Sequence, residues 1–260
     1  VSYLNKGKVM LGNKKSKIRF FVFLTGLFLF LNSCGLDTFV VVDAPTQVGN
    51  MPNVDTTDFS LKYFQFTTNN DLSHYPTDFH FLGTNVYYKI YTNSSDLRNH
   101  TSVLNSLADD EETSANAPTR LIEGYSYQQL KSNLETSSVL VPVSDIQHQD
   151  VVIRLTSYQN DPNFAAKITV DDYPLALSNS KTVPLRYMDG LSFNFGRTGE
   201  IDKVPQIGDA DVYGSSPPSD GIWYVALYAV GLGNSVTFEQ QYSNIVYLGS
   251  IAIDANSPDN

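Results

Sequence analysis

TNVYYKIYT, residues 84–92, decides how the rest of the chain is read. Successive side chains of an extended chain point to opposite faces, so Val86, Tyr88 and Ile90 fall on one side and Tyr87, Lys89 and Tyr91 on the other. Aromatic and β-branched residues fit a pleated, half-buried surface. The stretch therefore predicts a strand with one face in a core. The other face, with Lys89 between Tyr87 and Tyr91, is a candidate ligand or partner surface, because tyrosine rings supply contact area at small entropic cost. The competing explanation is that strands simply favour Tyr.

The same texture recurs on both sides of this stretch. It appears in FSLKYFQFT (59–67), SSVLVPV (137–143), DVVIRLTSY (150–158), AAKITVDDYPLAL (165–177), KTVPLRYM (181–188) and LSFNFG (191–196). After a loop rich in Gly, Pro and Asp over 196–221, it returns in IWYVALYAVG (222–231) and SNIVYLGSIAI (243–253). Short strands punctuated by Asp, Asn, Pro and Gly point to antiparallel sheet. Between them, SSDLRNHTSVLNSLADDEE places Leu97, His100, Leu104 and Leu107 at helical spacing, with Ser94 or Ser95 to cap the start. EGYSYQQLKSNL offers Ser126 and Gln129 at capping-box spacing and Tyr127, Leu130 and Leu134 along one side, which predicts a second short helix. The expected class is mainly β: an antiparallel sandwich with a partly helical insertion around 94–135. A barrel and a mixed α+β fold are the alternatives.

The N-terminal region has a different character. Phe20 to Leu31 is an apolar-rich run of 12 residues, preceded by Lys14, Lys15, Lys17 and Arg19. That order of charge and then apolar chain is typical of a secretory signal, and the run is short for a membrane span, which needs roughly 20 apolar residues. Leu31-Asn32-Ser33-Cys34 follows and resembles the lipobox of bacterial lipoproteins, in the relaxed form of the spirochaete type. The resemblance implies cleavage before Cys34, diacylation of its thiol, and a body held by acyl chains at the periplasmic side of a membrane or at the cell surface. On this reading 1–33 is the signal peptide, for which Met10 would make a more usual start. Residues 34–58 form the lipidated N-terminus and a flexible tether, and 59–260 are the β-rich domain.

A second resemblance lies at the C-terminal end. GIWYVALYAVGLGNSVTFEQQYSNIVYLGSIAI (221–253) resembles the closing hairpin of a fibronectin type III or immunoglobulin-like sandwich, with an aromatic-rich strand, a Gly and Asn turn, and a last strand entered through Tyr242-Ser243-Asn244. LGTNVYYKIYT (82–92) resembles an earlier strand of such domains. About 130 residues separate the two stretches, so the resemblance implies a sandwich carrying a large insertion.

Charge narrows the function classes. The six cations before Cys34 leave with the signal, so the mature 227 residues carry 11 Lys and Arg against 27 carboxylates, a net charge of −16. Such a balance argues against nucleic acid, whose phosphates require a basic face, and against electrostatic docking to anionic lipid. Cys34 is the one cysteine, so the chain forms no internal disulfide and its stability must come from an ordinary core.

Motifs that carry chemistry are sparse. In GDADVYGSSPPSD, Asp209, Asp211, Gly214 and Asp220 stand at positions 1, 3, 6 and 12 of an EF-hand-like loop, but Tyr213 occupies position 5 and Asp220 stands where Glu is usual. These carboxylates are weak metal candidates, and a solvated loop is the preferred reading. Ser178 to Lys181 has Ser-x-x-Lys spacing without its partner motifs, and Gly231 to Gly233 reads as a hairpin turn. His74, His80, His100 and His148 show no metal-ligand spacing. The expectation is a non-enzymatic envelope lipoprotein with a binding or assembly role, a protein partner in the envelope, and no cofactor beyond the lipid. The alternative is a carbohydrate-binding module or an envelope hydrolase whose cleft forms only in three dimensions.

Overall fold

Thirteen residues, Phe79–Tyr91, form one long strand, β3, and Ile222–Ser235 form another, β12. They pair antiparallel along nearly their whole length, from Tyr224 opposite Tyr91 to Ser235 opposite Phe79. The computed structural model describes residues 40–133, 138–158, 161–174, 182–187, 191–197, 204–235 and 239–257. On the far side of β12 run β13 (Gln240–Tyr242) and β14 (Val246–Asp254). On the far side of β3, three short strands share the edge: β4 (Gln128–Gln129), β6 (Val141–Pro142) and the parallel β11 (Val212–Tyr213). A second, wholly antiparallel sheet has the order β1 (Thr46–Gln47), β2 (Phe64–Thr67), β7 (Asp150–Arg154), β8 (Lys167–Val170), β9 (Tyr173–Pro174). A two-stranded ribbon joins β5 (Lys131–Ser132) to β10 (Pro184–Leu185).

The fold is mainly β and sandwich-like, and its sheets do not close into a barrel. Phe64, Phe66, Val151, Ile153 and Ile168 of one sheet meet Val86, Tyr88, Ile90, Val225, Leu227, Leu248 and Ile251 of the other in one continuous core. Gln65 and Thr67, on the outer face of the five-stranded sheet, are half-buried and polar, so β2 alternates as the sequence predicts. The β3–β12 sheet does not. Its outer face carries Tyr87, Tyr91, Ala226, Tyr228 and Val230, and these are covered by Leu97 and Leu104 of helix α1 (Ser94–Asp109) and by Ala117, Leu121 and Tyr127. One sheet is thus buried on both faces.

This burial overturns the reading of Tyr87, Lys89 and Tyr91 as an exposed surface. They are 7%, 4% and 0% exposed and lie under the helical layer. The helix itself sits where the spacing of Leu97 and Leu104 places it, but its cap is Asn93, whose side chain accepts from the Asp96 N–H at 2.8 Å, in place of Ser94 or Ser95. The second helix, expected over 123–134, does not form at 125–133; residue 134 lies outside the described residues. Short helical turns run earlier, over 114–124, and Ser126 then takes φ 54° to turn the chain into β4. The edge of β3 is the reason: Leu130 N–H donates to Val86 O at 2.7 Å, and a helix there would leave buried backbone groups of β3 without partners.

The expected tether over 34–58 is also corrected from Val40 onward; residues 34–39 lie outside the described residues. Thr46 and Gln47 pair with Thr67 and Phe66, the Asn50 side-chain amide donates to Leu61 O at 2.7 Å, and Ser250 N–H donates to Pro52 O at 2.9 Å. A polar edge strand flanked by Pro45 and Pro52 has the same composition as a solvated spacer. Val42 forms a small core with Phe79 and Phe81, joined by Val40, Tyr75 and Val143. Gly231 and Gly233 lie within β12 and not at a hairpin turn. A Cβ on Gly231 would strike the Asp43 carbonyl, and one on Gly233 the Phe79 ring, so both glycines seat this small core.

The cap assignment is open to a direct check. Asn93→Ala should lose about 1 kcal/mol of stability, while Ser95→Ala should change it by less than about 0.5 kcal/mol. Urea denaturation of both variants measures the difference.

Candidate functional site

The densest group of titratable side chains gathers where β11 meets the C-terminal half of β3. Arg186, 1% exposed, donates from Nε to Asp211 Oδ2 at 2.7 Å, from Nη2 to Asp211 Oδ1 at 2.6 Å, and from Nη2 to Asp209 Oδ2 at 2.6 Å. The Tyr88 hydroxyl donates to Asp211 Oδ2 at 2.7 Å and accepts from the Tyr187 N–H at 2.9 Å. Lys89 Nζ donates to the carbonyls of Ser126 (3.0 Å) and Ala210 (2.9 Å). Each charge of the knot therefore has a partner, as burial at low dielectric requires. Burial by itself would lower the affinity of Arg186 for its proton; the bonds and charge of Asp211, with Asp209, outweigh it and hold the guanidinium firmly protonated. Lys89 is shifted down by burial, with Asp211 opposing.

Asp209 and Asp211 are thus both engaged by the Arg186 guanidinium. Asp220, the third carboxylate of the EF-hand-like pattern, accepts from the Ile222 N–H at 3.0 Å in an exposed turn. Among the described residues no three His, Cys, Asp or Glu side chains gather in a way that could hold a metal ion. The sequence presents the loop as solvated; Asp211, at 0% exposure, makes it an anchored one. Arg186 was not legible as its partner, because 25 residues separate the two and only the fold joins them.

Above this knot, β11 continues into an aromatic cluster. His100 of α1 stacks on Tyr125 at 4.1 Å between ring centroids, with Tyr213 at 4.5 Å and Tyr91 at 5.5 Å set across it. The Tyr91 hydroxyl donates to Tyr127 Oη at 3.0 Å and lies 3.2 Å from His100 Nδ1. Burial raises the Tyr88, Tyr91, Tyr127 and Tyr228 hydroxyls far above the usual phenol range. Burial also lowers the His100 pKa, with Asp96 opposing and Lys89 and Arg120 adding to the fall. At neutral pH these rings are uncharged. They fasten α1 and the 114–125 turns to the sheet, and Tyr213, 42% exposed, is the ring of β11 that reaches water.

The remaining sequence candidates lie apart from this cluster. Leu31, Asn32, Ser33 and Cys34 fall outside the described residues, as do Ser178 and Lys181. His74 pairs with Asp43 at 3.3 Å, His80 is exposed on β3, and His148 contacts Thr68 O at 3.3 Å. An open groove near the end of α1 is lined by Ser102, Asn105, Ser106, Asp109, Asp110 and Glu111. Compared with known proteins, the chain matches no family model, no curated protein and no solved structure.

Two measurements test the cluster. Asp211→Asn leaves the buried Arg186 without half of its countercharge and should cost about 3–5 kcal/mol in urea denaturation. His100 has a folded-state pKa below its unfolded one, so the unfolded chain binds the extra proton and stability falls as pH drops below about 6.5. His100→Gln should remove that part of the loss, read as a smaller difference in urea midpoint between pH 7.5 and pH 5.

Proposed function

We propose that this chain is a lipoprotein of a bacterial cell envelope, anchored through acyl chains on Cys34, whose β-body acts by binding a protein partner or by taking part in envelope assembly and not by catalysis. One observation carries the reading: four cations, an apolar run of 12 residues and Leu31-Asn32-Ser33-Cys34 follow in that order, and the chain has no other cysteine. The one thiol of the sequence, at the end of a signal-like segment, is placed for modification. The net charge of −16 after cleavage leaves the acyl chains as the means of membrane attachment. No helix among the described residues is long and apolar enough to cross a membrane.

A binding or structural role is supported by the chemistry of the described side chains. Asp209 and Asp211 are occupied by Arg186, and His100 is held between tyrosine rings with its Nδ1 directed at a phenol. The two carboxylates face a guanidinium, and the phenol beside His100, Tyr91, is fully buried and out of reach of a substrate.

The test is covalent. Cys34→Ser should accumulate an unprocessed precursor, heavier by the 33 residues of the signal, and should lose labelling by radioactive palmitate. A variant that is cleaved and sediments with membranes like the parent overturns the proposal.

A further inference from the structure

We infer that one end of the β-body lies on the lipid surface, with Val41, Leu72, Ile146 and Tyr173 entering its interfacial layer. The inference rests on the lipid-anchored reading and adds to it the face that the anchor presents.

The argument starts from where the chain enters the fold. Val40 and Val42 pack against Tyr75, Phe79, Phe81 and Val143; Asp43 N–H donates to the Tyr75 hydroxyl at 2.9 Å, and its carboxylate meets His74. With the expected tether replaced by packed chain from Val40, only six residues separate Cys34 from this point. A fully extended chain covers about 3.3–3.6 Å per residue, so this end of the body is held within roughly 20 Å of the anchor. A 25-residue tether would have set no such limit.

The same end exposes apolar side chains where polar ones would fold equally well. Val41 lies between two inward-packed valines and is 81% exposed. Thr67, the last residue of β2, pairs with Asp150, the first of β7; Val151 pairs with Val170, the last of β8, and Val170 with Tyr173. The loops 68–78, 143–149 and 171–172 therefore leave one end of the five-stranded sheet together. They are tied to one another: Asn70 donates from its N–H to Gln147 O and from its side chain to Ile146 O, each at 2.8 Å, and Asp150 N–H donates to Asp171 Oδ1 at 2.9 Å. On these loops Leu72 is 49% and Ile146 53% exposed, and Tyr173, the first residue of β9, is 75% exposed. Four of the nine large hydrophobic side chains left exposed among the described residues thus sit at the end where the anchor enters.

Charge sets the kind of lipid surface. Loops 68–78, 143–149 and 171–173 contain no Lys or Arg and carry Asp71, Asp78, Asp145, Asp171 and Asp172. An anionic surface would be repelled, whereas a zwitterionic one accepts apolar side chains and an interfacial tyrosine.

The experiment uses the full-length lipidated protein bound to phosphatidylcholine vesicles whose acyl chains carry bromine, a contact quencher of tryptophan. Leu72→Trp and Ile146→Trp are compared with Tyr213→Trp. Position 213 pairs with Tyr91 at the other end of β3, about 40 Å of strand from Phe79. Trp223, 3% exposed, stays in every variant as a buried reference and reports that each has folded. Side chains entering the interfacial layer by about 5–10 Å should lose at least about half of the added emission, while the tryptophan at 213 keeps its own. Vesicle-bound protein in which positions 72 and 146 are quenched no more than 213 overturns this inference and leaves the anchor standing. Protein that fails to float with the vesicles overturns the anchor and this inference with it.

Discussion

The pairing of β3 with β12 is the constraint on which the rest of the structure depends. Twelve registered residue pairs hold two long strands side by side, and neither strand has a polar face to offer water. A sheet that is apolar on both sides needs a cover on each. The five-stranded sheet supplies one and α1 with the 114–124 turns supplies the other. The helical segment between β3 and β4 is therefore a required layer, and its buried leucines mirror the tyrosines beneath them.

The edge of β3 poses a second demand, since a long strand without a neighbour exposes a row of backbone donors and acceptors. Three short segments from distant parts of the sequence meet it in turn: Val141–Pro142, Gln128–Gln129 and Val212–Tyr213. The last of these is too short to hold by its ladder bonds alone. Arg186, Asp211 and Tyr88 fasten it in the interior, and Lys89 clamps the adjacent Ala210 carbonyl. The charged residues of this loop thus secure a strand edge. The same chemistry explains why a spacing that resembles a calcium loop carries no converging ligands.

The N-terminal segment ties the fold to the proposed anchor. Gly231 and Gly233 leave room on β12 for the Asp43 backbone and the Phe79 ring, so the chain from Val40 is bound to the body and not suspended from it.

Much of this was legible in the residues themselves. The alternation of FQFT, the Tyr- and Val-rich texture of 84–92 and 222–231, and the leucine spacing of 97–104 locate the strands and the helix, because periodicity reports which side chains leave water together. The signal-like run and Cys34 are likewise local patterns. Other features were not readable, for a common reason. Alternation tells one face of a strand from the other but does not say whether the second face is also covered, so Tyr87, Lys89 and Tyr91 read as surface. Aromatic residues on both faces, Tyr88 on one and Tyr87 and Tyr91 on the other, were the available signal. Composition cannot separate a polar edge strand from a spacer at 40–58, and the capping-box pattern of Ser126 and Gln129 yielded to the unpaired edge of β3. Arg186 with Asp211, and the gathering of Val41, Leu72, Ile146 and Tyr173 at one end, depend on residues far apart in the chain. Local sequence determined which segments extend and which coil, except at 128–132, where the edge of β3 imposed strand; tertiary packing decided which faces and charges they bury, because burial is a property of neighbours that the chain brings from a distance.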